Sequence, residues 1–68
     1  MTFAEISLVK HLVESAREIA DEFAGALNTY EDFESVLWPD DADLKKWQVT
    51  RKQFERCCAA AFAEFKRS

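Results

Sequence analysis

The sequence predicts an all-α fold, a small bundle of three to four helices whose long N-terminal helix packs antiparallel to the C-terminal helix. Three observations predict this class. Apolar residues recur at helical spacing along most of the chain, only one glycine and one proline interrupt 68 residues, and hydrophobic residues make up 49% of them. A chain of this length forms one domain, residues 1–68, and needs an unusually apolar core or a partner subunit to be stable.

The first helix is predicted over residues 3–26. Thr2 and Glu5 have the spacing of a capping box, in which two side chains satisfy the free backbone donors at a helix start. Gly25 and Asn28 suit the other end. A second apolar row widens its buried face, which makes a homodimer an option for covering it. The main apolar row repeats at intervals of three and four residues, at Val9, Leu12, Ala16, Ile19, Phe23 and Ala26.

A short second helix follows. Thr29 and Asp32 have cap spacing, and Pro39 ends the helix because the residue before a proline is pushed out of helical geometry. Asp40 then suits the cap of a third helix. The apolar residues predicted to share one side of the second helix are Tyr30, Phe33, Val36 and Leu37.

The chain beyond residue 41 allows two arrangements. Apolar residues keep heptad spacing, which allows one helix over 41–66. Thr50 and Gln53 form another capping box, however, with Val49 and Phe54 placed as a hydrophobic staple across it. This pattern favours two helices, over 41–48 and 51–66.

The net charge of −4 hides a division of the chain. Residues 1–43 carry eleven acids and two bases, a balance of −9, and residues 44–68 carry two acids and seven bases, a balance of +5. Either the two halves fold onto each other, or one of them meets a charged partner.

Catalytic and metal-binding chemistry is poorly supported. Adjacent Cys57 and Cys58 point about 100° apart on a helix and cannot share one ion without distortion; one is expected in the core and the other free to crosslink on oxidation. His11 and Glu14 are only two ligands, and no calcium loop, phosphate-binding glycine loop or Ser-His-Asp set is present. We therefore expect no enzyme, no cofactor and no metal.

The cysteine content and the distribution of apolar residues also indicate a cellular location. Two adjacent cysteines make no disulfide framework, so a reducing cytoplasm is the default compartment. The start of the chain has no basic leader, and no uncharged stretch reaches the roughly 18 residues that cross a bilayer.

Binding is the remaining class of function. Six carboxylates surround a tryptophan between residues 31 and 43, where aromatic anchors and steering charges together suit a basic protein surface. We call this set the acidic patch, and it is the predicted partner-binding site: Glu31, Asp32, Glu34, Trp38, Asp40, Asp41 and Asp43. The alternative for Trp38 is a place in the core, which is also the prediction for Trp47.

The size and charge of the chain are typical of inhibitors carried by phages and mobile elements, among them anti-CRISPR proteins, and of immunity proteins and antitoxins. The predicted function is therefore occlusion of a nucleic-acid-binding surface by an acidic mimic. The alternative is a small DNA-associated transcriptional regulator, although direct nucleic-acid binding is disfavoured by a pI of about 4.8. It would use a basic stripe made of Lys45, Lys46, Arg51, Lys52 and Arg56.

Overall fold

A computed structural model describes residues 2–23 and 25–67, and these form four helices. They are α1 (Phe3–Glu22), α2 (Tyr30–Leu37), α3 (Asp41–Trp47) and α4 (Arg51–Arg67). The described residues contain no β-strand, and α1 packs mainly against α4. The predicted all-α bundle of a long N-terminal and a C-terminal helix is confirmed.

Contacts between α1 and α4 follow the same order along both helices. In the first half of each helix, the Cys57 thiol lies 3.7 Å from the carbonyl oxygen of Glu5 and donates to it. Near their ends, Ala20 and Phe65 line one shallow groove. The two helices therefore run in the same direction, which differs from the antiparallel arrangement that the sequence predicts.

The path of α2 explains this direction. The Tyr30 ring at the start of α2 packs 5.6 Å from the ring of Phe62, and the Trp38 ring just after α2 packs 5.8 Å from the ring of Phe54. The α2 segment thus carries the chain back along α4. As a result, α4 begins again at the end of the bundle where α1 begins.

The first helix is shorter than the predicted 3–26. It ends at Glu22, and the N–H of Phe23 makes the last helical hydrogen bond, 2.8 Å from the Ile19 carbonyl oxygen. Gly25 has φ +93°, which a helix excludes and which glycine adopts without strain. The turn brings Leu27 into the core, where it is 3% exposed. Residue 26 therefore serves the turn and not the helix.

The chain beyond residue 41 forms two helices, which is the arrangement that the capping pattern favours. Gln48 adopts the left-handed conformation, φ 58° and ψ 42°, and so ends α3 before α4 begins. The capping box between Thr50 and Gln53 is present, with hydrogen bonds of 2.8 and 3.1 Å. Trp47 and Phe54, which keep heptad spacing across the break, stack on each other with ring centroids 6.2 Å apart.

The core is built from two aromatic clusters beside the α1–α4 contact. The Phe33 ring packs against Phe62 and Phe65, and the Phe54 ring packs between Trp38 and Trp47. The buried hydrophobic residues of the described chain are Leu8, Leu12, Val13, Ala16, Leu27, Phe33, Val49, Phe54, Cys57, Cys58 and Ala61.

Glu5 links the charged halves of the chain. Its carboxylate accepts the Thr2 N–H at 3.0 Å and closes the predicted capping box. Its second oxygen is buried, has no hydrogen-bond partner among the described residues and lies 3.7 Å from the Arg56 guanidinium. A second ion pair joins Asp41 to Arg51. Both pairs connect an acid of the first 43 residues to a base of the last 25, as folding of the halves onto each other requires.

Replacing Glu5 with glutamine is expected to destabilise the protein near neutral pH and to matter less in acid. The backbone N–H and hydroxyl of Thr2 lower the pKa of Glu5 below its ordinary 4.5. The ionised carboxylate therefore stabilises the folded state fully above pH 4.5, and this contribution is lost as the pH falls through the lowered pKa.

Urea denaturation of both proteins at about pH 7 and about pH 3 measures this difference. The difference between the urea midpoints of the wild type and Glu5→Gln should be smaller at the lower pH. Glu18→Gln, on the exposed side of α1, is the control and should leave both midpoints near the wild type. An equal gap for Glu5→Gln at both pH values would contradict the pKa argument.

Candidate functional site

The acidic patch spans α2, the connection after it and α3. Glu31 and Asp32 lie in the first turn of α2, and Asp41 lies in the first turn of α3 directly after Asp40. These four side chains belong to exposed residues, whereas Glu34 is partly buried, as is the remaining acid of the patch, Asp43. The structure thus presents four of the six carboxylates to solvent.

Two acids of the patch serve the start of α3. Asp40 accepts the Asp43 N–H at 2.8 Å, and Asp43 reaches back toward the Asp40 N–H at 3.5 Å. This is a reciprocal capping box, and the negative charges also complement the positive end of the helix dipole. The local role of this pair is therefore structural. Glu31 and Asp32 remain as exposed acids without an ion pair in the described chain, and exposed Asp41 is paired with Arg51.

Glu34 faces the bundle. Its carboxylate accepts the hydroxyl hydrogen of Tyr30, one turn earlier, at 3.0 Å. The same hydroxyl lies 3.4 Å from the carbonyl oxygen of Glu55 on α4. Glu34 therefore orients the tyrosine that joins α2 to α4. Among the predicted binding residues, it has the clearest structural role.

Trp38 combines the two roles that the sequence left open. Its ring lies nearly perpendicular to the buried ring of Phe54, with the centroids 5.8 Å apart, yet 46% of the residue remains exposed. The Arg51 guanidinium lies over the Trp38 ring, 5.1 Å from its centroid, and donates to the Asp41 carboxylate at 3.1 Å. Part of the tryptophan therefore supports the core, and part of it remains at the surface.

Val36 is a surface residue that the sequence prediction misplaced. The prediction puts it beside Phe33 and Leu37 on the buried side of α2, but it is 44% exposed. Its position in the sequence indicates this exposure, because Val36 lies one turn after Asp32 and so shares the acidic side of the helix. Val36 and Trp38 together give the acidic patch two exposed apolar side chains.

The basic stripe is divided by ion pairs. Lys45, Lys46 and Lys52 are exposed and free of ion pairs within the described chain. The Arg51 guanidinium is paired with Asp41, and the Arg56 guanidinium with Glu5. Two of its five cations therefore already face carboxylates.

Trp47 does not add an exposed aromatic ring to the stripe. Its ring is partly buried, stacks on Phe54 and lies 5.7 Å from the His11 ring. Trp47 therefore packs against the core, as predicted, but is only partly buried. His11 itself is exposed on α1, as its position beside the buried row predicts.

The cysteines are both buried, so the prediction that one of them is free for crosslinking is wrong. Cys57 faces α1 and Cys58 faces α2, since α4 is covered on two adjacent sides. Burial raises the pKa of the Cys57 thiol and raises that of Cys58 to about 11, with the nearby Glu34 charge adding to the second shift. Both thiols are therefore protonated and shielded near neutral pH.

Metal binding and membrane crossing are not supported by the described residues. Across residues 2–23 and 25–67, no three side chains of the His, Cys, Asp or Glu types are placed to hold a metal ion. Within the same residues, no helix is both long and apolar enough to cross a membrane. Comparison of the chain with protein-family models, with curated proteins and with solved structures gives no match.

Proposed function

We propose that this chain is a non-enzymatic protein-binding module, a small acidic inhibitor or regulator that occludes a basic, nucleic-acid-binding surface of its target. The observation that carries the proposal is the exposure of Val36 (44%) and Trp38 (46%) beside four exposed carboxylates. Interfaces draw most of their affinity from a few such anchors, with tryptophan prominent among them. The surrounding charges steer encounter and exclude partners of the wrong sign.

The contacts of Arg51 support this proposal at atomic scale. Its guanidinium is held between the Trp38 ring and the Asp41 carboxylate, one partner by a cation–π contact and the other by an ion pair. Side chains that accommodate an internal arginine this way have the chemistry to accept an arginine from a basic partner. Because the Arg51–Asp41 pair is largely exposed, an incoming cation can replace it at little free-energy cost.

A second candidate function is the DNA-associated regulator. The observation that favours it is the exposure of Lys45, Lys46 and Lys52. Clustered lysines bind phosphates, and binding of this kind weakens steeply as salt concentration rises. The acidic patch ends just before these lysines in the chain, which works against a polyanion approaching them.

Neutralising the three exposed acids outside the capping pair is expected to slow target binding without unfolding the protein. The variant is Glu31→Gln with Asp32→Asn and Asp41→Asn, which spares the capping pair Asp40 and Asp43. Association with the target should slow at least about tenfold at low salt, and Trp38→Ala should raise the dissociation constant about 30-fold or more.

The target is captured from the native host on immobilised wild-type chain and identified by mass spectrometry. A matched control, Glu18→Gln with Asp21→Asn and Glu22→Gln on α1, removes the same charge from another surface and should bind like the wild type. Equal loss in both variants would contradict a localised site. Salt-sensitive binding to duplex DNA that Lys45, Lys46 and Lys52→Ala abolishes would favour the regulator instead.

A further inference from the structure

One side of α1 is apolar and uncovered. Phe3 is 85% exposed and Ile6 44% exposed, and the same row continues through half-buried Val9 to Val13 at the edge of the core. Together with Glu64 of α4, the last three line a groove of about 360 Å³. Apolar surface of this kind is favourable to bury, and a chain of 68 residues has little core area to spare.

The rim of the groove carries charges of both signs. Lys10, Glu14 and Arg17 follow one another along α1, and Glu64 stands on α4. Glu64 pairs with Arg67 at 3.7 Å, whereas the three rim charges of α1 have no ion-pair partner within the described chain. Two positive and two negative charges make this rim neutral, in contrast to the acidic patch on α2 and α3.

We infer that a second copy of this chain occupies the groove, with the two α1 helices packed antiparallel about a two-fold axis. A symmetric interface must be complementary to itself, because each contact between two residues occurs twice, with the two copies exchanged. A rim with equal numbers of both charges satisfies that condition. A strongly acidic or strongly basic partner would instead meet like charges at half of its contacts.

The spacing of the rim charges fixes the register. In an antiparallel pair with its axis level with residue 12, positions equally far from residue 12 lie opposite each other. Lys10 then faces Glu14 of the second copy, and Glu14 faces Lys10 of the second copy, so two ion pairs form. In the same register Ile6 lies level with residue 18 of the second copy, one position from Arg17, and can pack on the aliphatic stem of that arginine. The Val9 and Val13 side chains interdigitate across the axis.

This assembly is independent of the proposed function. The groove lies on α1, and the acidic patch lies on α2 and α3. Self-association that survives neutralisation of the acidic patch, and target binding that survives loss of self-association, distinguish the two proposals.

Sedimentation equilibrium across about 1 µM to 1 mM chain tests the inference. The wild-type chain of 7.9 kDa should approach twice that mass as concentration rises. Ile6→Glu should remain monomeric, with a dissociation constant raised at least about tenfold. Val36→Glu is the matched control, because Val36 has the same 44% exposure on another helix, and it should dimerise like the wild type.

Charge exchange tests the register and does not depend on the apolar variant. Lys10→Glu alone and Glu14→Lys alone each place like charges opposite each other and should weaken the dimer. The double variant restores opposite charges and should recover dimerisation to near the wild-type level. A wild-type chain that stays at 7.9 kDa throughout, or an Ile6→Glu variant that dimerises normally, would overturn the inference. Dimerisation without recovery in the double variant would overturn the register.

Discussion

Phe54→Ala is expected to lower the free energy of unfolding at 25 °C by a large part of its total. Phe54 is completely buried and supports both tryptophans, with Trp47 stacked on its ring and Trp38 packed edge-on. Truncating a buried phenylalanine typically destabilises a protein by about 3–5 kcal/mol. A domain of this size has a total stability of only about 3–10 kcal/mol, so this single change removes a large part of it.

The loss extends beyond the side chain itself. Trp38 follows α2, Trp47 ends α3 and Phe54 belongs to α4, so one ring joins three helices. Without it, the short helix α3 keeps its capping pair but loses its main packing contact. Isolated helices of seven residues are not stable in water, because the first turn is costly to form. The acidic patch, which begins on α2 and ends on α3, should disperse with the fold.

Far-UV circular dichroism and tryptophan fluorescence measure this effect in a urea titration. Phe23→Ala makes the same chemical change at a residue that is 64% exposed, and it should shift the free energy of unfolding by less than about 1 kcal/mol. Phe54→Leu keeps most of the volume and should retain the fold with a smaller loss. A Phe54→Ala midpoint near the wild-type value would show that the aromatic cluster is not central to stability.

The features that the sequence predicted well are those whose partners lie close along the chain. The Thr2–Glu5 and Thr50–Gln53 capping boxes join side chains three residues apart, and both are present. A helix start can satisfy such a pair before any tertiary contact exists. Helix number, the breaks at Pro39 and Gln48, and the exposure of most acids follow from this local information.

The features that the sequence did not predict depend on which helices are neighbours. Both cysteines are buried because α4 is covered by α1 on one side and by α2 on the adjacent side, which periodicity within α4 cannot reveal. The contact of Arg51 with Trp38 requires α4 to begin beside the end of α2. The direction of α1 relative to α4 likewise depends on the path of the chain between them.

Alkaline pH is expected to unfold the protein in one cooperative step that Tyr30 reports. Burial raises the pKa of Tyr30 above its ordinary 10.0, and the hydrogen bond to Glu34 adds to this shift. Burial likewise raises the pKa of Cys58 from 9.0 to about 11. The partly buried Tyr30 hydroxyl and the buried Cys58 thiol belong to one contact between α2 and α4, so neither can ionise without disturbing the other.

The direction of the pH dependence follows from these shifts. A group whose pKa is raised by folding stabilises the protein fully below its unfolded pKa, and this contribution is lost as the pH rises through the folded pKa. For Cys58 the loss begins near pH 9 and is complete above about pH 11, where it amounts to about 2–3 kcal/mol. Tyr30 adds to it above pH 10. Together they remove a large part of the small total stability.

Tyrosinate absorbance near 295 nm monitors this transition at a single residue, since Tyr30 is the only tyrosine in the sequence. The absorbance should rise together with the loss of helical circular dichroism, and both cysteines should become reactive toward a thiol reagent in the same pH interval. In urea at matched pH, tyrosinate should appear near the ordinary pKa of 10.0. Tyrosinate formation near pH 10 in a chain that keeps its helical signal would show that Tyr30 is not held between Glu34 and α4, and the contact that anchors α2 would then need another explanation.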